Sequence, residues 1–145
     1  MKHIWTVLCQ NSSIDSSTNL LSIFNCLDEL TIEIDRSKAP KIDELTIPFG
    51  AQLISLWAIE DRNKDSILES RVEILDPGGN SLSKFDKKIN VKKDILRFRS
   101  IINIQQIKIT KEGRYTVKMQ QKKTGEKNFS VVSELPFDIK IIYKN

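Results

Sequence analysis

Apolar positions along this chain recur mostly at every second residue, the period of a strand and not of a helix. Residues 3–9 place His3, Trp5, Val7 and Cys9 on one face and Ile4, Thr6 and Leu8 on the other, so both faces carry apolar groups and an interior strand is predicted. The polar stretch Gln10 to Asn19 reads as a surface loop. A second strand follows over Leu20 to Leu27, and Leu30 to Ile34 continues the alternation after Asp28-Glu29, a break suited to a bulge or to a corner where the chain changes sheet. Asp35 to Pro48 has two prolines and no sustained period, which predicts a crossover loop with one helical turn at Lys41 to Leu45.

Ala51 to Ile59 is apolar on both faces, and the charged run Glu60 to Asp65 then reads as a hairpin loop leading to a partner strand, Ser66 to Leu75. That strand buries Leu68, Val72 and Ile74 and turns Glu69, Arg71 and Glu73 outward, the pattern of an antiparallel sheet with one solvated face. Asp76-Pro77-Gly78-Gly79-Asn80 is the clearest turn. Residues 81–88 read as a short polar strand or edge, Asn90 to Ile95 as a lysine-dense loop, and Leu96 to Ile104 as a strand with Phe98, Ile102 and Ile104 inward. After a turn at Glu112-Gly113, Tyr115, Val117 and Met119 share one face and Arg114, Thr116 and Lys118 the other. The strand Arg114 to Gln121 is answered by Asn128 to Val132, and Leu135 to Tyr143 closes the chain with Pro136 marking a strand start or an edge.

Eight or nine strands without an amphipathic helix of ten residues predict an all-β fold, a single antiparallel β-sandwich domain over residues 1–145. Gly113 followed two residues later by Tyr115 and then by buried alternation matches the start of the next-to-last core strand in immunoglobulin-like sandwiches. There the tyrosine hydroxyl bonds back to the backbone and pins the corner between the sheets.

Composition narrows the function classes. The 145 residues suffice for a core without disulfides or metal, and no apolar run approaches the ~20 residues of a membrane span, so no integral membrane association is expected. The opening run is too short for a signal peptide and no small-residue cleavage site follows, which leads to a cytoplasmic expectation. Cys9 and Cys26 read as small buried hydrophobes. In a hairpin of residues 4–9 with 20–26, Cys9 falls near Leu20 and Cys26 near Ile4, too far apart to bridge. The net charge of +4 is unevenly spread: residues 82–127 hold fourteen Lys and Arg against four Asp and Glu, and the remainder nine against fifteen.

Several landmarks together resemble an uncharacterised family of small bacterial proteins, a domain of unknown function with an immunoglobulin-like sandwich. They are the opening strand ending in Val7-Leu8-Cys9, the strand Asn19 to Asn25, the turn Leu75 to Asn80, Glu112-Gly113-Arg114-Tyr115, and a last strand entered through Leu135-Pro136. Ser22 stands where the family pattern has Gly, and the Asn11 to Asn19 segment has no acidic-Gly turn. The family has no activity to lend, so the resemblance assigns no functional residue.

The chemistry-bearing residues do not converge. One histidine, His3, sits on an alternating strand, Gly78-Gly79 is a turn without the Lys-Ser/Thr of a phosphate loop, and Cys9 and Cys26 lack metal-ligand spacing. Asp61, Asp65 and Glu60 are interleaved with Arg62 and Lys64 and read as a solvated hairpin. No catalytic, cofactor or metal site is expected, and the chain reads as a non-enzymatic binding or scaffold module for a protein partner or a second copy of itself. The alternative is an electrostatic binder of nucleic acid or another anionic surface through residues 82–127. Its face would be built by Arg97, Arg99, Arg114, Lys118, Lys122 and Lys123 on two neighbouring strands, with Phe85 the one exposed ring nearby. A lysine-rich face that only keeps edges soluble is the plainer reading of the same residues, and an enzyme of unknown class ranks third.

Overall fold

The computed structural model describes residues 1–37 and 45–144. Nine strands form two sheets, and no α-helix occurs among the described residues. β1 (Lys2–Ile14), β2 (Leu21–Cys26), β4 (Leu45–Ala58) and β7 (Arg97–Ile109) build a four-stranded sheet in the order β2-β1-β4-β7. β3 (Glu29–Asp35), β5 (Ser66–Leu75), β6 (Ser81–Val91), β8 (Gly113–Lys122) and β9 (Ser130–Lys144) build a curled five-stranded sheet in the order β3-β9-β8-β5-β6. Among the described residues no helix is long and apolar enough to cross a membrane.

One cluster fills the space between the sheets. Leu53, Trp57, Ile102 and Ile104 of the four-stranded sheet meet Leu68, Val72, Tyr115, Met119 and Phe137 of the other. Strand alternation therefore locates the core correctly: Leu68, Val72 and Ile74, then Tyr115, Val117 and Met119, are all buried. Buried polar groups in this core are bonded, Trp57 Nε1 donating to Ser100 Oγ at 3.0 Å and Thr6 Oγ1 lying 2.8 Å from Ser55 Oγ.

The structure decides between the two readings of the Asp28-Glu29 break and departs from the alternation-based expectations in three other places. The Asp28-Glu29 break is a change of sheet, since β2 and β3 belong to different sheets. β4 and β5 are not a hairpin: the charged loop between them crosses from one sheet to the other. The five-stranded sheet is mixed, because β3 runs parallel to β9 while its other ladders are antiparallel, so the architecture is not wholly antiparallel. Pro136 stands inside β9, opposite Thr116; the β3 ladder begins only at Asp138, so its missing N–H breaks no bond on that side.

Several boundaries also move: residues 130–132 and 135–143 belong to one strand, β9, and β6 runs on to Val91. The polar segment Gln10 to Ile14 is strand, because it pairs with Leu21–Phe24, and only residues 15–20 form the loop. Leu45 to Pro48 is strand as well, and the helical turn expected at Lys41 to Leu45 falls, apart from Leu45, outside the described residues. Pro48 is accommodated where the β4–β7 register shifts between Pro48 and Ala51, with Gly50 at φ 57° in the bulge. A second register shift, between His3 and Trp5, turns His3 to the inner face; it does not share a face with Trp5, Val7 and Cys9 as strict alternation predicts.

The corner between β7 and β8 forms around the Tyr115 hydroxyl. It donates to the Lys111 carbonyl at 2.6 Å and accepts the N–H groups of Thr110 at 3.2 Å and Lys111 at 3.3 Å. Asp76 ties the neighbouring turn to the same place, its carboxylate accepting from Asn80 N–H and Gly78 N–H at 2.9 Å each and from Thr110 Oγ1 at 3.1 Å. Gly113 has φ 140°, and a Cβ there would stand 3.0 Å from Pro77 Cγ, which explains why the position two before the tyrosine is glycine.

Candidate functional site

The six basic residues expected to share one face are divided between the sheets. Arg97 and Arg99 lie on β7, Arg114, Lys118 and Lys122 on β8, and Lys123 just beyond β8. β7 and β8 are not neighbours, because the link between them turns the corner from one sheet to the other instead of closing a hairpin. Phe85 is half-buried against the core, so it offers no exposed ring beside them.

On the five-stranded sheet the basic groups face carboxylates in register. Arg114 is opposite Asp138 and bonds it at 2.8 and 3.1 Å; Lys118 is opposite Glu134 at 3.6 Å, and Lys122 opposite Glu69 at 3.5 Å. The same holds between β5 and β6, where Arg71 grips Asp86 at 2.6 and 2.9 Å and Lys84 lies 3.4 Å from Glu73. The guanidinium bonds of Arg71 and Arg114 hold Asp86 and Asp138 below the usual carboxylate range. Opposite charges directly across a ladder offset each other and leave little net field.

The four-stranded sheet is different. Its outer face carries the cross-strand row Trp5, Leu56, Arg99 and beside it the row Val7, Ile54, Ile101. Neither Arg97 nor Arg99 has a salt bridge among the described residues. The β1–β2 hairpin folds over this face. Gln10 and Asn25 drop out of its ladder, Asn25 has φ 53°, and beyond them Ser12 Oγ donates to Gln52 Oε1 at 2.7 Å. Arg99 Nη2 then donates to the Asn19 carbonyl at 2.7 Å, joining the hairpin tip to β7. Between hairpin and sheet lies an open groove of about 560 Å3, lined by Trp5, Leu56 and Ile101 from the sheet, Leu21 and Ile23 from the hairpin, and Arg97 and Arg99. Its chemistry suits an apolar group next to an anion.

His3, Ser55, Asp61 and Asp65 are engaged or sealed. His3 Nε2 lies 2.6 Å from Thr6 Oγ1, which continues to Ser55, and the His3 ring meets Trp57 edge-on at 5.1 Å. Burial lowers the His3 pKa against a smaller opposing pull from the Trp5 backbone, and Ser55, fully buried, is out of reach of a substrate. Asp61 and Asp65 face Lys64 and Lys92 at 3.8 and 3.5 Å, and among the described residues no group of three or more His, Cys, Asp or Glu is placed to hold a metal ion. Cys9 and Cys26 are direct register partners, not distant ones, because β1 runs on past Cys9 to Ile14 and so lengthens the hairpin.

Sequence patterning found the two arginines of the groove but not its apolar walls. Trp5, Ile23 and Leu56 come together only through long-range pairing; the available signal was the apolar character of both faces of residues 51–59, which requires cover on both sides. Set against known protein families, curated proteins and solved structures, the chain matches none.

Proposed function

We propose that this chain is a non-enzymatic binding module and that the groove on the outer face of the four-stranded sheet is its docking surface. The occupant is a segment of a protein partner that presents apolar side chains beside a carboxylate. The observation that carries this reading is the row Trp5, Leu56, Arg99: apolar surface left half open, ending in a cation with no carboxylate beside it among the described residues. On the other sheet the equivalent cations already have anionic partners.

An immunoglobulin-like reading of the fold supports the same use. In its favour are β5, β8 and β9 side by side as strands C, F and G would be, β4 beside β7 as B and E, a β3 strand parallel to the last strand, and a tyrosine corner opening β8. A bacterial setting goes with that family reading.

Selection of random linear peptides on the immobilised protein tests the proposal. Enriched peptides should combine acidic and apolar residues, quench or shift Trp5 fluorescence, and lose affinity at least tenfold against Arg97→Glu/Arg99→Glu. Peptides that bind that variant equally well would refute the docking surface. So would a stable dimer untouched by the two substitutions, or a mixed-sequence oligonucleotide that binds at low salt with the steep salt dependence of an electrostatic binder.

A further inference from the structure

The β1–β2 hairpin brings the two cysteines of the chain face to face. Cys9 is opposite Cys26, and the Leu27 N–H donates to the Leu8 carbonyl at 2.9 Å, immediately beside the pair. A bond from the residue after one member to the residue before the other defines a non-hydrogen-bonded antiparallel pair. At such sites the Cα atoms are about 4.5 Å apart, inside the roughly 4.4–6.8 Å range that a disulfide spans. Both thiols are free, with Cys9 fully buried and Cys26 exposed. An exposed cysteine is not filling a core, and its partner lies within reach behind it.

We propose that Cys9 and Cys26 are an oxidisable dithiol, a modification site that a low-molecular-weight disulfide of the glutathione type converts to an intramolecular cross-strand disulfide. The Cys26 thiolate attacks one sulfur of the small disulfide, forming a mixed disulfide and releasing one thiolate, which takes a proton from solvent. Cys9, losing its proton to solvent, then attacks the Cys26 sulfur and expels the second small thiol. Two protein S–H groups are lost, one S–S bond forms in the protein, and the oxidant's S–S bond becomes two thiols.

The order follows from exposure. Burial, with Cys26 adding to it, raises the Cys9 pKa against a smaller opposing bond from the Asn11 backbone, so Cys9 makes a poor first nucleophile. It needs only to resolve a mixed disulfide formed beside it. The ladder is interrupted next to the pair, at Gln10 and Asn25, where Asn25 has φ 53°. The pair stands at the base of the hairpin whose far end supplies Asn19, Leu21 and Ile23 to the groove, so the crosslink fixes one wall of that groove. The dithiol chemistry itself stands without the groove having any occupant.

The test is to incubate the native full chain with oxidised glutathione in mildly alkaline buffer and to follow thiol content and intact mass. The expected product has lost both thiols and two hydrogens, retains no glutathione, has no disulfide between chains, and is restored by dithiothreitol. Cys9→Ser should instead stop at a glutathione adduct on Cys26. The wild-type arm decides the matter alone if that variant fails to fold. A wild-type product that keeps glutathione on Cys26 with a free Cys9 thiol overturns the proposal. A disulfide that forms only in denaturant, or only between two chains, overturns it as well.

Discussion

Replacing Tyr115 by Phe removes one oxygen and keeps the ring, which packs at 5.6 Å from Phe137 in the core. Three bonds go with that oxygen, to the Lys111 carbonyl and to the N–H groups of Thr110 and Lys111. A net hydrogen bond is worth about 0.5–1.5 kcal/mol, and a buried group left without its partner costs about 1–3. Lys111 is exposed and Thr110 half-exposed, so water recovers part of the loss and the net cost should be about 1–3 kcal/mol. Over a urea slope of about 2 kcal/mol/M this lowers the unfolding midpoint by about 0.5–1.5 M with the slope unchanged. Thr110→Ala, which cuts the bond to Asp76, should be non-additive with Tyr115→Phe because both act on Thr110. An unchanged midpoint for Tyr115→Phe would show that the corner contributes nothing to stability, and strict additivity would show that the Asp76 turn and the tyrosine act separately.

Two further outcomes follow from side-chain bonding. Asp15 in the β1–β2 loop accepts the N–H groups of Thr18 and Ser17 and the Ser17 hydroxyl, which lowers its pKa from 3.8 to about 2. Its contribution is therefore present above the ordinary carboxylate value and lost as pH falls from about 4 to about 2; the wild-type minus Asp15→Asn difference in thermal midpoint should shrink across that window, and a pH-independent difference would sink the assignment. Ser100→Ala leaves the buried Trp57 indole N–H without its acceptor and should cost about 1–3 kcal/mol, with Trp57→Phe/Ser100→Ala costing less than the sum of the single changes; additivity measured by chemical denaturation would refute the bond.

How much of the structure the sequence carried depended on the kind of fact. A period of two states which residues share a face, and it placed Leu68, Val72, Tyr115 and Met119 inward correctly. It does not state which strand lies alongside. The loop Glu60 to Asp65 has the composition of a hairpin turn yet crosses between sheets, and the polar run Gln10 to Ile14 has the composition of a loop yet pairs with β2. Bulges defeat the period locally: one residue inserted at Ile4 is enough to move His3 to the inner face. The cysteine pair was hidden by the misread polar run, since ending the strand at Cys9 and not five residues later at Ile14 displaces the partner of Cys9 from Cys26 to Leu20.

Residues 51–59, apolar on both faces, are the composition signal that bears on the apolar part of the candidate site. A strand in a two-layer fold needs only one apolar face, so the outward residues Ile54 and Leu56 require a second cover. The β1–β2 hairpin supplies it over Ile54, which is fully buried, and stops short of Leu56 and Trp5, which remain half-exposed. Its polar sequence is consistent with that position, since its upper side faces water while Leu21 and Ile23 line the groove below. The five-stranded sheet solves the same exposure problem with carboxylates and cations set opposite each other in register. One outer face is thus closed by charge pairing, and the other is an apolar surface with an incomplete lid and two arginines at its margin, the surface on which the proposed docking rests.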